Sequence, residues 1–599
     1  MVRKNWFSYV AIALFEAGIF FALVGGIWIV GDSMPLPYLV KGGIILSLAV
    51  LWILLSGALV IFAKIRTRLH MERRGWLAAE LVIVAALIAA GTYLRFWVIQ
   101  NLPMQPMSDF KTYYEIADML SRGTLLSQGP GYCDYISQFP HVIGFPFILS
   151  LIFRVTGASV EVGLFFELFV AAANILLVYL LARSLGGRVA GIIAVALEAF
   201  WPSQIFYSNQ IASEPVFTLM VLACLLLAAH LLKERSSIKW GRQFVLYVLL
   251  GVLLAISSAL RPLGIIILVA ILICVIFSGR NLKSPNLKSA GKNILEKGWM
   301  RALIVLFVFL LCSSVTKSCI ADAIDRQPAN SSSSFGYNLL VGMNIDSIGT
   351  WDQSDSTLFS DTFKATGSAD SAHQACLNLA IQRIEGNPSG ILNLMAEKYC
   401  YLWRFDDYGI QWNLLFMDQQ GTLTPELKTM LNDFLFMNDT YYIFVLALAA
   451  IAGFFLWRRK KGSRVQMLML IFLGTAAAHL FLESQNRYLY HVLPIFAVMA
   501  ALGIAEQYGI TRNHVLVAIG EKLSGAIETK LATESLEFEA EHSEIPEMFN
   551  MVEAIKAGHV TVSVSEAYLK EKPEEIAEEI TEEGDGDSEK KELVGGVRQ

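Results

Sequence analysis

Charge is scarce in this 599-residue chain: Asp, Glu, Lys and Arg together make up 17% of it, against 55% hydrophobic residues and a mean hydropathy of +0.52. No ordinary water-soluble globular protein tolerates that balance, which excludes a soluble multidomain enzyme despite ample length. Cysteine is scarce as well. The seven are scattered, Cys224, Cys274 and Cys312 lie inside apolar runs, and no pair has CxxC or metal-ligand spacing. Cys133, Cys376 and Cys400 fall in segments expected outside the cytoplasm, where one disulfide stays open but has no spacing rule behind it. Gly-rich phosphate loops, HExxH, GxSxG, paired His-Cys sites and repeats of 20–50 residues are also missing. Nucleotide-dependent transfer, zinc proteolysis, the serine-hydrolase elbow and solenoid folds therefore lack their signatures. Nothing points to a nucleic-acid partner.

Long apolar runs take the place of these features. They have the length of roughly 17–25 residues needed to cross about 30 Å of hydrocarbon at 1.5 Å per residue. Spans are expected near 8–30, 39–63, 77–99, 160–182, 189–208, 213–232, 243–260, 262–277, 302–320, 441–457, 465–482 and 488–508. The first follows Val2-Arg3-Lys4, carries Glu16 and is longer than a signal h-region, so it reads as a retained helix. The fold class is an all-α polytopic membrane protein with about 12 spans.

Basic clusters orient these spans: Lys64 to Arg74, Arg183 and Arg188, Lys233 to Arg242, Arg280 to Arg301, and Arg458 to Arg464. Short loops rich in Lys and Arg stay in the cytoplasm. The apolar segment His141 to Val155 decides the parity. Counted as a span it would put the later clusters outside; as a surface or re-entrant element it leaves every cluster inside. Its length of about 15 residues, with Pro140 and Pro146, also favours the second reading. Both termini are then cytoplasmic.

The organisation follows: an N-terminal hairpin over 1–75, a transmembrane core over 76–320 with a first external loop at 100–159, an extracytoplasmic segment at 321–440, C-terminal spans over 441–508, and a tail over 509–599. The tail holds about twenty carboxylates against about nine Lys and Arg, so the rest of the chain is net positive although the whole is −5. It reads as an acidic, partly disordered cytoplasmic segment. In 321–440, Gly386-Asn387-Pro388 marks a helix boundary, and Ile391, Met395, Lys398, Leu402 and Trp403 follow at helical spacing. That pattern predicts an amphipathic helix against the membrane or the bundle.

Chemistry-bearing residues gather at the expected external ends of the spans. Asp109 stands in "SDFKTYYEIA" just after the third span, where a carboxylate could reach a lipid-anchored substrate; Ser108 or Asp109 could equally cap the next helix. Glu214 follows Ser213 and precedes Pro215, which also suits a helix start. Arg261-Pro262 sits between two closely spaced runs, where an arginine could bind phosphate or snorkel to the interface. Arg487 lies in "ESQNRY", ahead of Pro494.

In this order and spacing the residues resemble the GT-C glycosyltransferases, similar to the bacterial protein O-mannosyltransferase and aminoarabinose transferase group (family 39-like), over roughly 77–508. The resemblance implies a GT-C-like bundle and a polyprenyl-phosphate sugar donor. It implies Asp109 as the general base, with Glu214 beside it to orient the acceptor or hold a possible divalent cation. "FPHVIGFPFILSLIFRVTG" matches an interfacial helix of the family and "WPSQIFYS" with "SEP" a turn between spans, while "ESQNRY" lacks the family's second proline. The sugar's phosphate would meet Arg487, and also Arg261 or Lys398, as its charge develops. Attack of an acceptor hydroxyl on C1 would then invert the anomeric centre, with no nucleotide-binding loop needed. The acceptor, whether glycan, lipid or protein, stays open. Two other classes remain: a lipid-linked glycan flippase or secondary transporter, expected to show repeated halves and interrupted helices, and a glycan polymerase or ligase sharing the donor chemistry.

Overall fold

The computed structural model describes residues 6–27, 50, 53–61, 64, 73–233, 240–278, 297–330, 335–459, 463–512 and 514. Among these residues there is no strand. In hydrocarbon a chain satisfies its N–H and C=O groups only within itself, so apolar runs of this length become helices. They are α1 (Trp6–Ile27), α2 (Arg73–Asn101), α3 (Ser108–Arg122), α4 (Pro130–Gln138), α5 (Gly144–Thr156), α6 (Val160–Ala199), α7 (Pro202–Tyr207), α8 (Ser213–Leu231), α9 (Trp240–Leu260), α10 (Gly264–Ser278) and α11 (Gly298–Ile324). There follow α12 (Gly336–Gly342), α13 (Gln353–Thr366), α14 (Ala369–Gly386), α15 (Pro388–Trp403), α16 (Tyr408–Gln419), α17 (Pro425–Arg459), α18 (Ser463–Phe481) and α19 (Leu493–Arg512). Among the described residues, nine helices are long and apolar enough to cross a membrane: α1, α2, α6, α8, α9, α11, α17, α18 and α19.

Two of the expected spans meet at a sharp break. The runs at 160–182 and 189–208 form two helices within α6 that are separated at Gly187, whose φ of +85° and ψ of −169° no side chain readily permits. Beyond the break the chain folds back, so that Ile175 and Tyr179 pack with Val195 and Ala199. Arg183 and Arg188 flank the break and both pair with Glu80 of α2, at 2.7 and 3.2 Å. The last part of the expected second span, 202–207, is the separate helix α7. The expected span at 262–277 is the shorter helix α10. Most of 39–63, the tail from 515 and much of the basic clusters lie outside the described residues.

The segment 140–156 does not join the spans. It forms a 3₁₀ turn, Pro140–Ile143, then α5, which packs along α3 through Tyr113 with Phe145 and Tyr114 with Phe153, ring centroids 5.6 and 5.7 Å apart. Gly144 is pressed so closely on α9 that a Cβ would stand 2.4 Å from the carbonyl of Ala259. That contact brings the 140–144 turn to the end of α9, next to Arg261.

Residues 335–424 fold into α12 to α16 within the same compact unit as the spans. Asp355 and Arg383 form a buried ion pair at 2.7 Å that ties α13 to α14. Helix α15 opens on Asn387, whose side chain accepts from the Gly390 amide at 3.0 Å, and buries Ile391, Leu394, Lys398, Leu402 and Trp403 against α1 and α18. This is the expected stripe, with Leu394 in place of Met395. Cys133, Cys376 and Cys400 are free thiols. The described residues of 49–72 and 506–514 belong to a second compact unit, and there Gln507 donates to Ser56 at 3.4 Å.

Candidate active site

Four of the charged residues singled out in the sequence meet at one end of the bundle. Arg487 Nη2 donates to Asp109 Oδ2 at 2.5 Å, and Arg487 Nε stands 3.9 Å from Glu214 Oε1, which Arg261 Nη2 contacts at 3.0 Å. The cluster is thus a chain of alternating charge: Asp109, Arg487, Glu214, Arg261. It balances two carboxylates against two guanidiniums. Glu214 is nearly inaccessible, its side chain 2% exposed, and Arg487 is 7% exposed, whereas Asp109 is 38% exposed. Asp109 is therefore the carboxylate that a substrate in open space can touch.

Local chain geometry aims these groups. Asp109 stands in the first turn of α3, behind Ser108 with a φ of +51°, a conformation uncommon for any residue other than glycine. The N-cap position belongs to Met107, and no side chain caps the helix. Helix α8 likewise starts after Ala212 with no side-chain cap. Neither helix start has a side-chain cap, yet both carboxylates stand in a first turn, where the helix dipole favours them, and both also face the arginines.

Aromatic rings enclose the guanidiniums. Arg487 lies over Phe110, Trp412 and Tyr488 at 5.6 to 5.8 Å from their centroids, and Arg261 over Tyr488 at 5.3 Å. Gln485 Oε1 accepts from Arg487 Nε at 2.9 Å and fixes its plane. Burial works against the charge on Asp109, but the adjoining Arg487, by charge and hydrogen bond, outweighs it with help from Arg261 and holds the carboxyl below its usual range. His141, partly buried, is pushed down to about 4 by that burial and by the nearby Arg261. Sequence reasoning missed Trp412, Tyr488, Phe110 and His141 as parts of this site. Phe110 and Tyr488 adjoin the motif residues, whereas Trp412 lies in a long segment with no local signal.

Lys398 does not join the cluster. It is buried in α15 and its three N–H groups are spent on backbone carbonyls: Gly342 at 2.7 Å, Leu482 at 2.8 Å and Leu480 at 3.2 Å. No donor is left for a phosphate, because the helical register that puts Lys398 on the apolar stripe also turns it inward. As for a divalent cation, among the described residues no group of three or more His, Cys, Asp or Glu side chains converges to hold one. Glu214, between two guanidiniums, stands in a field that repels it. The residues do not fit a metal.

Residues 140–312 match the family described as dolichyl-phosphate-mannose-protein mannosyltransferase. This match bears out the resemblance to GT-C glycosyltransferases read from the sequence. Comparison with curated proteins gives no match. Among solved structures, the oligosaccharyltransferase of Archaeoglobus fulgidus with Zn and sulfate aligns at 15% identity and a TM-score of 0.40, covering 72% of this chain and 50% of that one. The same organism's AglB, in complex with an inhibitory peptide and a dolichol-phosphate, aligns at 13% identity and a TM-score of 0.39, with 85% and 56% covered. ArnT from Cupriavidus metallidurans bound to undecaprenyl phosphate aligns at 11% identity and a TM-score of 0.30, with 72% and 78% covered. The chain spans about half the length of the archaeal enzymes.

Proposed function

We propose that this chain is an integral membrane glycosyltransferase that moves a sugar from a polyprenyl-phosphate donor to an acceptor hydroxyl on the extracytoplasmic side. The observation that carries the reading is the Asp109–Arg487 contact within a cluster that also holds Glu214 and Arg261, at the ends of helices meant to lie in lipid. A donor of this class keeps its tail in the bilayer and its phosphate at the interface, so fixed cations and an accessible carboxylate at helix ends suit it. The ArnT structure bound to undecaprenyl phosphate and the dolichol-phosphate in the AglB complex belong to the same donor chemistry.

In the reaction, the acceptor oxygen forms a bond to C1 of the sugar while the bond from C1 to the phosphate oxygen breaks, with inversion. The acceptor proton passes to Asp109, and the electron pair leaves with the polyprenyl phosphate, whose charge Arg487 and Arg261 stabilise. Arg487 couples the two halves. In the empty site it holds Asp109 ionised but weakly basic; a phosphate that draws the guanidinium away raises the basicity of Asp109 when an acceptor is needed. Glu214 keeps the two arginines side by side.

Mannose is the sugar suggested by the matched family, and the acceptor class remains to be found by assay. The test supplies purified protein with a panel of polyprenyl-phosphate sugars and follows release of polyprenyl phosphate. Release that depends on the protein and on an added acceptor supports the reading; no release with any donor, in a folded preparation, rejects it.

A further inference from the structure

Beside the charged cluster lies a cavity of about 470 Å³, within the range of small-molecule sites, and Arg487 forms part of its wall. None of the sequence motifs reach its other side, which is built from 350–351 and 401–412. Three features there suit a ligand. First, Arg404 meets the rings of Tyr401 and Phe405, at 5.3 and 5.6 Å, and among the described residues no carboxylate lies within ion-pair distance of it. It is a guanidinium held by aromatic stacking, coupled through space to the partly buried Asp439 but bonded to no carboxylate. Second, Asn486 donates to Asp407 at 3.3 Å, while its own Oδ1 is buried without a partner. A buried amide oxygen in a cavity wall wants a donor, such as a hydroxyl. Third, Trp351 lines the cavity although it is 53% exposed, and Trp412 lines it from the side of Arg487.

The loop that holds Trp351 is fixed rather than loose. Ile348, a β-branched residue, has a φ of +54°, a costly conformation held only where its surroundings impose it. The surroundings are the Ser484 amide, which donates to Gly349 O at 2.9 Å, and Lys398, which grips the carbonyls of Gly342, Leu480 and Leu482. Lys398 thereby ties the loop holding Trp351 to the strip holding Gln485, Asn486 and Arg487. Two walls of one cavity are set by one buried ammonium.

Resting on the functional reading above, we propose that this cavity is the saccharide subsite, taking the pyranose ring of a glycosyl phosphate with the ring against Trp351 and Trp412. The ring hydroxyls meet Asn486 Oδ1 and Asp407, and the phosphate lies against Arg487, with Arg404 on the cavity side adding to the positive field of Arg487 and Arg261. The composition fits this ligand class: flat apolar rings for the C–H face of a sugar, amides and a carboxylate for its hydroxyls, and guanidiniums for its anion.

The test is equilibrium binding by full-length protein in nanodiscs, with two probes that differ only in the sugar: undecaprenyl phosphate and undecaprenyl-phosphate mannose. Wild type should bind the second more tightly. Trp351→Ala, at an exposed position that the fold does not need, should weaken the sugar-bearing lipid by roughly tenfold and leave the bare lipid unchanged. Arg404→Gln should weaken both lipids by a similar factor. Wild type that binds the two lipids equally, or a Trp351→Ala variant that matches wild type on both or loses both alike, overturns the subsite while leaving the enzyme reading standing. Wild type that binds neither lipid overturns both. Should Arg404→Gln misfold, Trp351→Ala alone still decides.

Discussion

Arg487 reaches across 378 positions of sequence to hold Asp109 at 2.5 Å, joining the strip between α18 and α19 to the start of α3. Neither residue has this contact by virtue of its own helix. The pair exists because α3 folds back beneath α5 and because the 486–489 turn delivers Arg487 to the same end of the bundle.

Asp109→Asn removes the charge while keeping the shape. Since no side chain caps α3, the substitution costs no cap, and its effect on thermal stability should be limited to the loss of its charge pairing with Arg487. Transfer should fall by roughly 10²–10⁴-fold, the usual contribution of a general base. Donor-turnover rates on the purified variant check this, and a near-wild-type rate would move the base to Glu214.

The pH dependence follows from the sign of the Asp109 shift. Its folded-state pKa is depressed by Arg487, so the stability drawn from the pair is present above the unfolded value of about 3.9 and is lost as pH falls through the lower folded value. The acid limb of kcat/KM should therefore lie below about 4. His141 adds nothing near neutrality, being pushed down to about 4 itself. In Arg487→Gln the acid limb should move upward, and a pH–rate profile of the residual activity reads the shift.

Lys398→Met should act on stability first. It removes three hydrogen bonds from an ammonium and strands three carbonyls, a loss of about 3 kcal/mol or more. Thermal unfolding in detergent measures it. Variants rescued for expression should also bind donor poorly, since the walls holding Trp351 and Arg487 lose their common anchor.

Sidedness is tested by cysteine accessibility in intact cells. Single cysteines at 109 and in 321–440 should react with an impermeant reagent, whereas those at 235 and 460 should not. Labelling at 235 or 460 would reverse the parity.

The acidic tail should be dispensable for transfer. Its composition keeps it out of a membrane-embedded site, so deleting 571–599 should leave turnover nearly intact, as measured on protein of equal expression.

The membrane class, most span positions and the separation of 140–156 from the spans were legible in the sequence, because hydropathy and length are local properties that the bilayer reads run by run. Asp109, Glu214, Arg261 and Arg487 were legible as candidates because they stand at the ends of those runs. What the sequence alone left open was their partnership. Whether Asp109 caps a helix or faces Arg487 depends on the backbone at Ser108 and on a contact 378 positions away, and neither has a local signature. Lys398 shows the limit most plainly: its helical register was readable, but three carbonyls from two distant segments turned a candidate phosphate ligand into a structural anchor. The cavity with Trp351, Arg404 and Trp412 was decided by tertiary packing alone, since its walls come from segments whose approach no periodicity encodes.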